Sequence, residues 1–237
     1  MVAVPEVVAG LAAIPGVRTA AQLGEPSLDA SASTGSLPLA PTLTELVPGG
    51  LRRGSAVSVS GSTALVLALL AEPTREGSWA AITGMPDIGV VAAVELGVEL
   101  ERLALIPDPG AEVAAVLSAL IDGFDLVVLG PTIARGMQPQ LGRRLAGRVR
   151  NRGAVLLAAG PWPGADLELR VSNRRWHGLT DDGFGHLEFR DVVATSRGRG
   201  AAARPRTVAL GLPGSGGAVT SSAVKVSAGR GLSEVAG

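Results

Sequence analysis

The sequence predicts an α/β fold: a mostly parallel sheet flanked by helices, with antiparallel strands at its C-terminal edge. Three observations predict it. Hydrophobic residues make up 46 % of the 237-residue chain and charged residues 18 %, a globular balance. From residue 56 to residue 159, short apolar runs alternate with segments of helical periodicity, which implies parallel strands joined by crossover helices. After Pro163 the helical segments stop and strand-like runs follow one another, as in antiparallel hairpins.

Taken in order, residues 5–14 predict a short apolar helix. Residues 24–41, rich in Gly, Pro, Ser and Ala, read as a flexible linker, so 1–41 stand apart from the core. One helical turn is expected at 44–47, before the Pro48-Gly-Gly50 break. Residues 56–60 predict a strand, 64–71 a buried helix stopped near Pro73, 79–83 a strand and 88–96 a helix ending at Gly97. Another strand follows at 102–106. The helix at 111–121 sets Val113, Val116, Leu117, Leu120 and Ile121 on one face. Residues 124–129 are apolar on both faces except Asp125, which puts this strand inside the sheet. A helix at 138–150 and a buried strand at 154–159 complete the alternation. Strands at 167–171, 186–193 and 207–210 form the antiparallel extension. The core thus spans 42–211, and 212–237 reads as a disordered tail.

Composition excludes several chemistries. There is no cysteine, hence no disulfide, thiolate metal site or Cys nucleophile. The two histidines, His177 and His186, match no zinc-ligand spacing, and no motif supports a Ser-His-Asp site. Residues 1–20 lack a basic stretch before their apolar part, so a signal peptide is not expected, nor is a membrane span. A cytoplasmic location is the resulting expectation. Net charge is zero but unevenly laid out: ten acids against two arginines from 72 to 125, and nine arginines against two acids from 135 to 175. Such a chain suits an oriented partner.

The Pro48-Gly-Gly-Leu-Arg-Arg-Gly54 turn, followed by Ala56-Val-Ser-Val-Ser-Gly61, resembles the entry into the RecA core. The likeness continues through Gly77-Ser-Trp-Ala-Ala-Ile-Thr83, Arg102-Leu-Ala-Leu105 and Phe124-Asp-Leu-Val-Val-Leu129. A working phosphate-binding loop reads G-x-x-x-x-G-K-[ST], with glycines cradling phosphates, the lysine neutralising them and the hydroxyl on Mg²⁺. Here only Gly61 survives; Val66, Leu67 and Ala68 take the other positions, and the lone lysine is Lys225. Arg52, Arg53 and Arg75 flank the strand and helix without lining the turn. The strand that should end in a magnesium-holding Asp runs into Gly130-Pro131, and Met85 replaces the water-activating Glu, leaving Asp87 nearby. Three such contacts are worth about 1.5–3 kcal/mol each, comparable in sum to the roughly 8 kcal/mol of micromolar affinity. No cofactor, metal or catalytic residue is therefore expected.

Within the RecA superfamily the chain resembles the shortened actinobacterial form of the ImuA-type accessory proteins of inducible mutagenesis (ImuA′). The pieces that carry this likeness are Gly84-Met-Pro-Asp-Ile-Gly89, Ile121-Asp-Gly-Phe-Asp-Leu-Val-Val128, Asn173-Arg-Arg-Trp-His-Gly178 and Gly198-Arg-Gly-Ala-Ala-Ala-Arg-Pro-Arg206. The resemblance implies a non-catalytic scaffold in a damage-induced translesion-synthesis complex. Its partners would be an ImuB-like Y-family polymerase homologue and, indirectly, an error-prone replicative-type polymerase. The alternatives are a regulator of RecA filaments or of cell division, of the SulA-like type, and a weak RecA-like ATPase.

Contact surfaces are sought among the arginines. On a 138–150 helix, Leu141, Leu145 and Val149 form an apolar stripe opposite Arg143, Arg144, Arg148 and Arg150, which Arg170, Arg174 and Arg175 could join. That face meets DNA phosphates or an acidic partner, or is simply solvated. Trp176 is a partner anchor or a buried core residue. Arg197, Arg199, Arg204 and Arg206 bind a partner or solubilise the tail. Few aromatics lie near for base stacking, and Pro161-Trp-Pro-Gly164 is too short for a RecA-type DNA loop, so any contact with DNA or RecA would be weak.

Overall fold

A computed structural model describes residues 35–180, 182–199 and 204–222. The helix expected at 5–14, most of the 24–41 linker and Lys225 lie outside them. Strand β1 (Ser36–Leu37) pairs antiparallel with β2 (Leu51–Arg52) around helix α1 (Pro41–Thr44). The turn of helix expected at 44–47 thus falls earlier, because Pro41 occupies the first helical position, where its missing N–H costs nothing. Residues 35–41 are part of the packed unit: Leu37, Leu39 and Leu43 are buried.

The main sheet begins at β3 (Ala56–Ser60), which leads to α2 (Thr63–Arg75), β4 (Ala80–Thr83), α3 (Val90–Glu95) and β5 (Leu103–Ile106). Then come α4 (Val113–Gly123), β6 (Leu126–Leu129), α5 (Pro131–Gly136), α6 (Pro139–Arg152) and β7 (Val155–Ala158). Strands β8 (Leu167–Leu179), β9 (Gly185–Gly198), β10 (Arg206–Gly211) and β11 (Thr220–Ser221) follow. The spatial order is β11-β10-β9-β8-β3-β7-β6-β4-β5. Strands β8 to β5 of that order run parallel, and β8 to β11 are joined antiparallel. The α/β architecture with a mostly parallel sheet and an antiparallel C-terminal side is therefore present.

The central strands are buried on both faces, which explains their near-continuous apolar composition. One face carries Val57, Val59, Ile82, Val128 and Leu157 under α1, α2 and α3. The other carries Ala81, Val127, Leu129 and Leu156 under α4 and α6.

Four boundaries differ from the sequence expectation. Helix α2 continues through Pro73 to Arg75, and the Thr74 hydroxyl donates to Leu70 O at 2.8 Å in that last turn. Proline there forgoes one hydrogen bond near the helix end without breaking an interior. Helix α5 was not anticipated; Gly130-Pro131 starts it in place of a loop. Strands β8 and β9 run to 13 and 14 residues and form a long hairpin, since polar residues on a two-sided ribbon hide the alternation. The expected tail at 212–237 begins too early, because Leu212 is buried and β11 pairs with β10.

Candidate functional site

In parallel α/β sheets, ligands sit outside the carboxyl ends of the central strands. Here that position is the turn between β3 and α2. Only Gly61 and Ser62 connect Ser60 to Thr63. Two residues are too few to wrap a phosphate in backbone N–H groups. Gly61 has φ +87°, and a Cβ there would stand 2.4 Å from the Val171 carbonyl oxygen of β8. Ser62 caps α2, its Oγ accepting from Leu65 N at 3.2 Å. Val66, Leu67 and Ala68 are all buried in the core under the sheet. The positions that the motif gives to lysine and hydroxyl, Leu67 and Ala68, are thus turned into the core.

The turn nevertheless meets two cations, neither of them among the arginines that flank it in sequence. The Arg174 guanidinium, from β8, donates to the Gly61 carbonyl. Arg190, from β9, donates to Ser62 Oγ at 3.4 Å and to Leu212 O at 2.9 Å. Its guanidinium lies 5.1 Å over the Trp176 ring, a cation–π contact. Burial, and secondarily the Arg174 charge, push the Arg190 pKa down. Sequence spacing could not find Arg190, because the β8–β9 register alone brings it there. Trp176 is 43 % exposed, so the core-residue reading of it is overturned. A cleft of about 610 Å³ opens beside the turn, between Ser60 and Gly61 on one side and Pro161, Trp162 and Pro163 on the other, with Arg170 and Arg174 on its wall.

The second expected position is closed by backbone. Gly130 N donates to Thr83 O at 2.7 Å, and a Cβ on Gly130 would come within 1.9 Å of Gly84 O. No side chain, acidic or otherwise, fits between these strand ends. Thr83 is fully buried beside them, and its hydroxyl has no partner among the described residues. Met85 packs against the core and Asp87 is exposed. Among the described residues no three His, Asp or Glu side chains gather as metal ligands.

His177 finds a different role. Its Nε2 lies 2.7 Å from Asp191 Oδ2, and the Ser222 hydroxyl donates to Asp191 Oδ1 at 2.7 Å. The order is serine–aspartate–histidine, with the carboxylate in the middle. A nucleophile needs the imidazole in the middle. The ring also stacks on Phe189 at 4.4 Å, which makes the group a clamp between β8, β9 and the end of β11. His186 is exposed, 3.7 Å from Glu188.

The arginines read from the sequence are distributed over several places. On α6, Leu145 and Val149 are buried while Arg143, Arg144 and Arg150 are exposed, as the helical stripe requires. Arg148 is committed elsewhere: its guanidinium forks onto the Asp122 carboxylate of α4, with Nε at 2.7 Å, and Arg152 Nε adds a contact at 2.9 Å. These arginines hold the Asp122 pKa down to about 2. Arg175 is exposed on the β8 ribbon. Arg204 and Arg206 line a separate cavity with Arg52 and Arg199. No helix among the described residues is long and apolar enough to cross a membrane.

Comparison with known proteins adds two findings. Residues 45–164 match the family model described as the MT3502 N-terminal domain, a span that ends before β8 begins. The chain is also 44 % identical over 165 residues to the uncharacterized protein Rv3395c of Mycobacterium tuberculosis, which covers 65 % of this chain and 80 % of that protein.

Proposed function

The chain belongs to the family of the MT3502 N-terminal domain, and from that premise we propose that it is a RecA-like domain without nucleotide chemistry, acting as a scaffold in damage-induced translesion synthesis. The partner in this reading is an ImuB-like Y-family polymerase homologue, with an error-prone replicative-type polymerase joined indirectly. The partner assignment rests on the resemblance of the Gly84–Gly89 and Asn173–Gly178 segments to ImuA-type accessory proteins.

One observation carries the non-catalytic half of the reading. The strand-to-helix turn holds only two residues, and the positions for lysine and hydroxyl, Leu67 and Ala68, lie inside the core. A phosphate-binding loop works by presenting both to solvent. Closure of Gly130 against Gly84 supports the same conclusion for the magnesium acid.

The test is equilibrium binding of labelled ATP with Mg²⁺, alongside co-purification with the polymerase homologue. No saturable micromolar ATP binding and a stable one-to-one complex are expected. Saturable ATP binding at the Gly61 turn, abolished by Arg174→Gln, would overturn the reading. A weak RecA-like ATPase is the second reading, and the pair Arg174 and Arg190 at that turn favours it.

A further inference from the structure

A second cavity, of about 570 Å³, lies away from the Gly61 turn. Its floor is apolar, with Val47 and Leu167 at its surface over the buried side chains of Leu46, Leu51 and Val57. Its rim is cationic. Arg52 comes from β2, Arg199 from the end of β9, Arg204 from the chain before β10, and Arg206 from the first position of β10, opposite Ser196. All four are exposed. The one acid in the lining, Asp166, is already engaged: its carboxylate accepts from Ala56 N at 3.0 Å and lies 3.7 Å from Arg52. Arg199, Arg204 and Arg206 form no ion pair among the described residues.

Like charges converge from three elements only against repulsion, so a rim on which Arg199, Arg204 and Arg206 have no acidic partner among the described residues is complementary to an anion with an apolar body. Nucleic acid fits poorly. A phosphodiester backbone has no use for a leucine and valine floor, and no lining residue is aromatic to stack a base. The volume suits one or two aliphatic side chains of a peptide. We propose that this cavity is a docking site for an acidic segment of a partner protein, which buries an aliphatic side chain between the Pro48-Gly-Gly50 turn and β9 while its carboxylates pair with Arg199, Arg204 and Arg206.

The inference deepens the scaffold reading by giving its partner a chemistry and a place, and it rests on that reading for its biological meaning. The probe is a fluorescein-labelled peptide of alternating Glu and Leu, titrated by anisotropy into the full chain. Saturable binding is expected, weakened at least about tenfold when Arg199, Arg204 and Arg206 are all changed to Glu. Unchanged thermal unfolding of that variant shows that the fold is kept. A peptide with Ser in place of Leu should lose binding, because the floor then has nothing to cover. Three results would overturn the site: equal binding of the Ser peptide, equal loss on changing Arg143 and Arg144 to Glu, or displacement of the peptide by oligothymidylate. Failure here leaves the ATP experiment untouched. Conversely, ATP binding at Gly61 would retire the scaffold and leave this peptide site standing.

Discussion

At the residue scale, single positions decide what the chain can bind. Gly61 is held at φ +87° with a strand carbonyl where a Cβ would go. Gly61→Ala should therefore cost about 1–3 kcal/mol, from left-handed backbone strain and a displaced β8. Urea unfolding of the variant measures it; an unchanged midpoint would mean that the turn relaxes freely. Asp122 carries the clearest pH signature. Its folded pKa is depressed from 3.8 to about 2 by Arg148 and then Arg152. A depressed carboxylate contributes stability above its unfolded pKa and loses it as pH falls through the folded one. The pair is partly exposed, so screening leaves about 1 kcal/mol. Asp122→Asn should lower stability by that amount at pH 7, and the difference from the parent should vanish as pH falls from about 4 to 2.

Elements show why some groups were readable and others hidden. The α6 stripe was legible, since 3.6-residue periodicity separates Leu145 and Val149 from the arginines without further information. Arg148 looked the same as its neighbours in sequence, yet α4 packs beside it and takes its charge. If the remaining arginines Arg143, Arg144 and Arg150 touch DNA, changing them to Gln should lower the salt dependence of binding as well as its strength. A solvated face predicts no change in either, and filter binding at two salt concentrations separates the cases. The β8–β9 hairpin exposes Leu179, Phe184 and Leu187 at its far end. Phe184 is 75 % exposed, so Phe184→Ser should shift stability by less than about 0.5 kcal/mol. A larger loss in thermal unfolding would show that the hairpin end packs in solution.

For the whole molecule, the C-terminal side completes the fold. Leu210 and Leu212 are fully buried, Arg190 uses the Leu212 carbonyl, and Ser222 joins the Asp191 clamp. Ending the chain at Gly211 should lower stability by about 2–4 kcal/mol, the cost of emptying one leucine site. Denaturant unfolding measures this directly, and an unchanged midpoint would return these residues to the status of a tail. The Gly- and Pro-rich composition of 211–217 concealed the packing, because turn residues look alike in a linker and in a tight return to the sheet.

Local rules reached far in this chain. Hydrophobic periodicity determined the α/β class and most of the element order. The replacement of the motif lysine and hydroxyl by Leu67 and Ala68 was likewise written in the residue types. Those properties depend on what each residue is and on neighbours a few positions away. The tertiary structure alone decided which charges meet. Arg174 and Arg190 arrive at the Gly61 turn, and Arg52 joins Arg199, Arg204 and Arg206, through the register of β8, β9 and β10. Strand pairing connects residues more than a hundred positions apart, and no periodicity within a segment encodes which partner it will face.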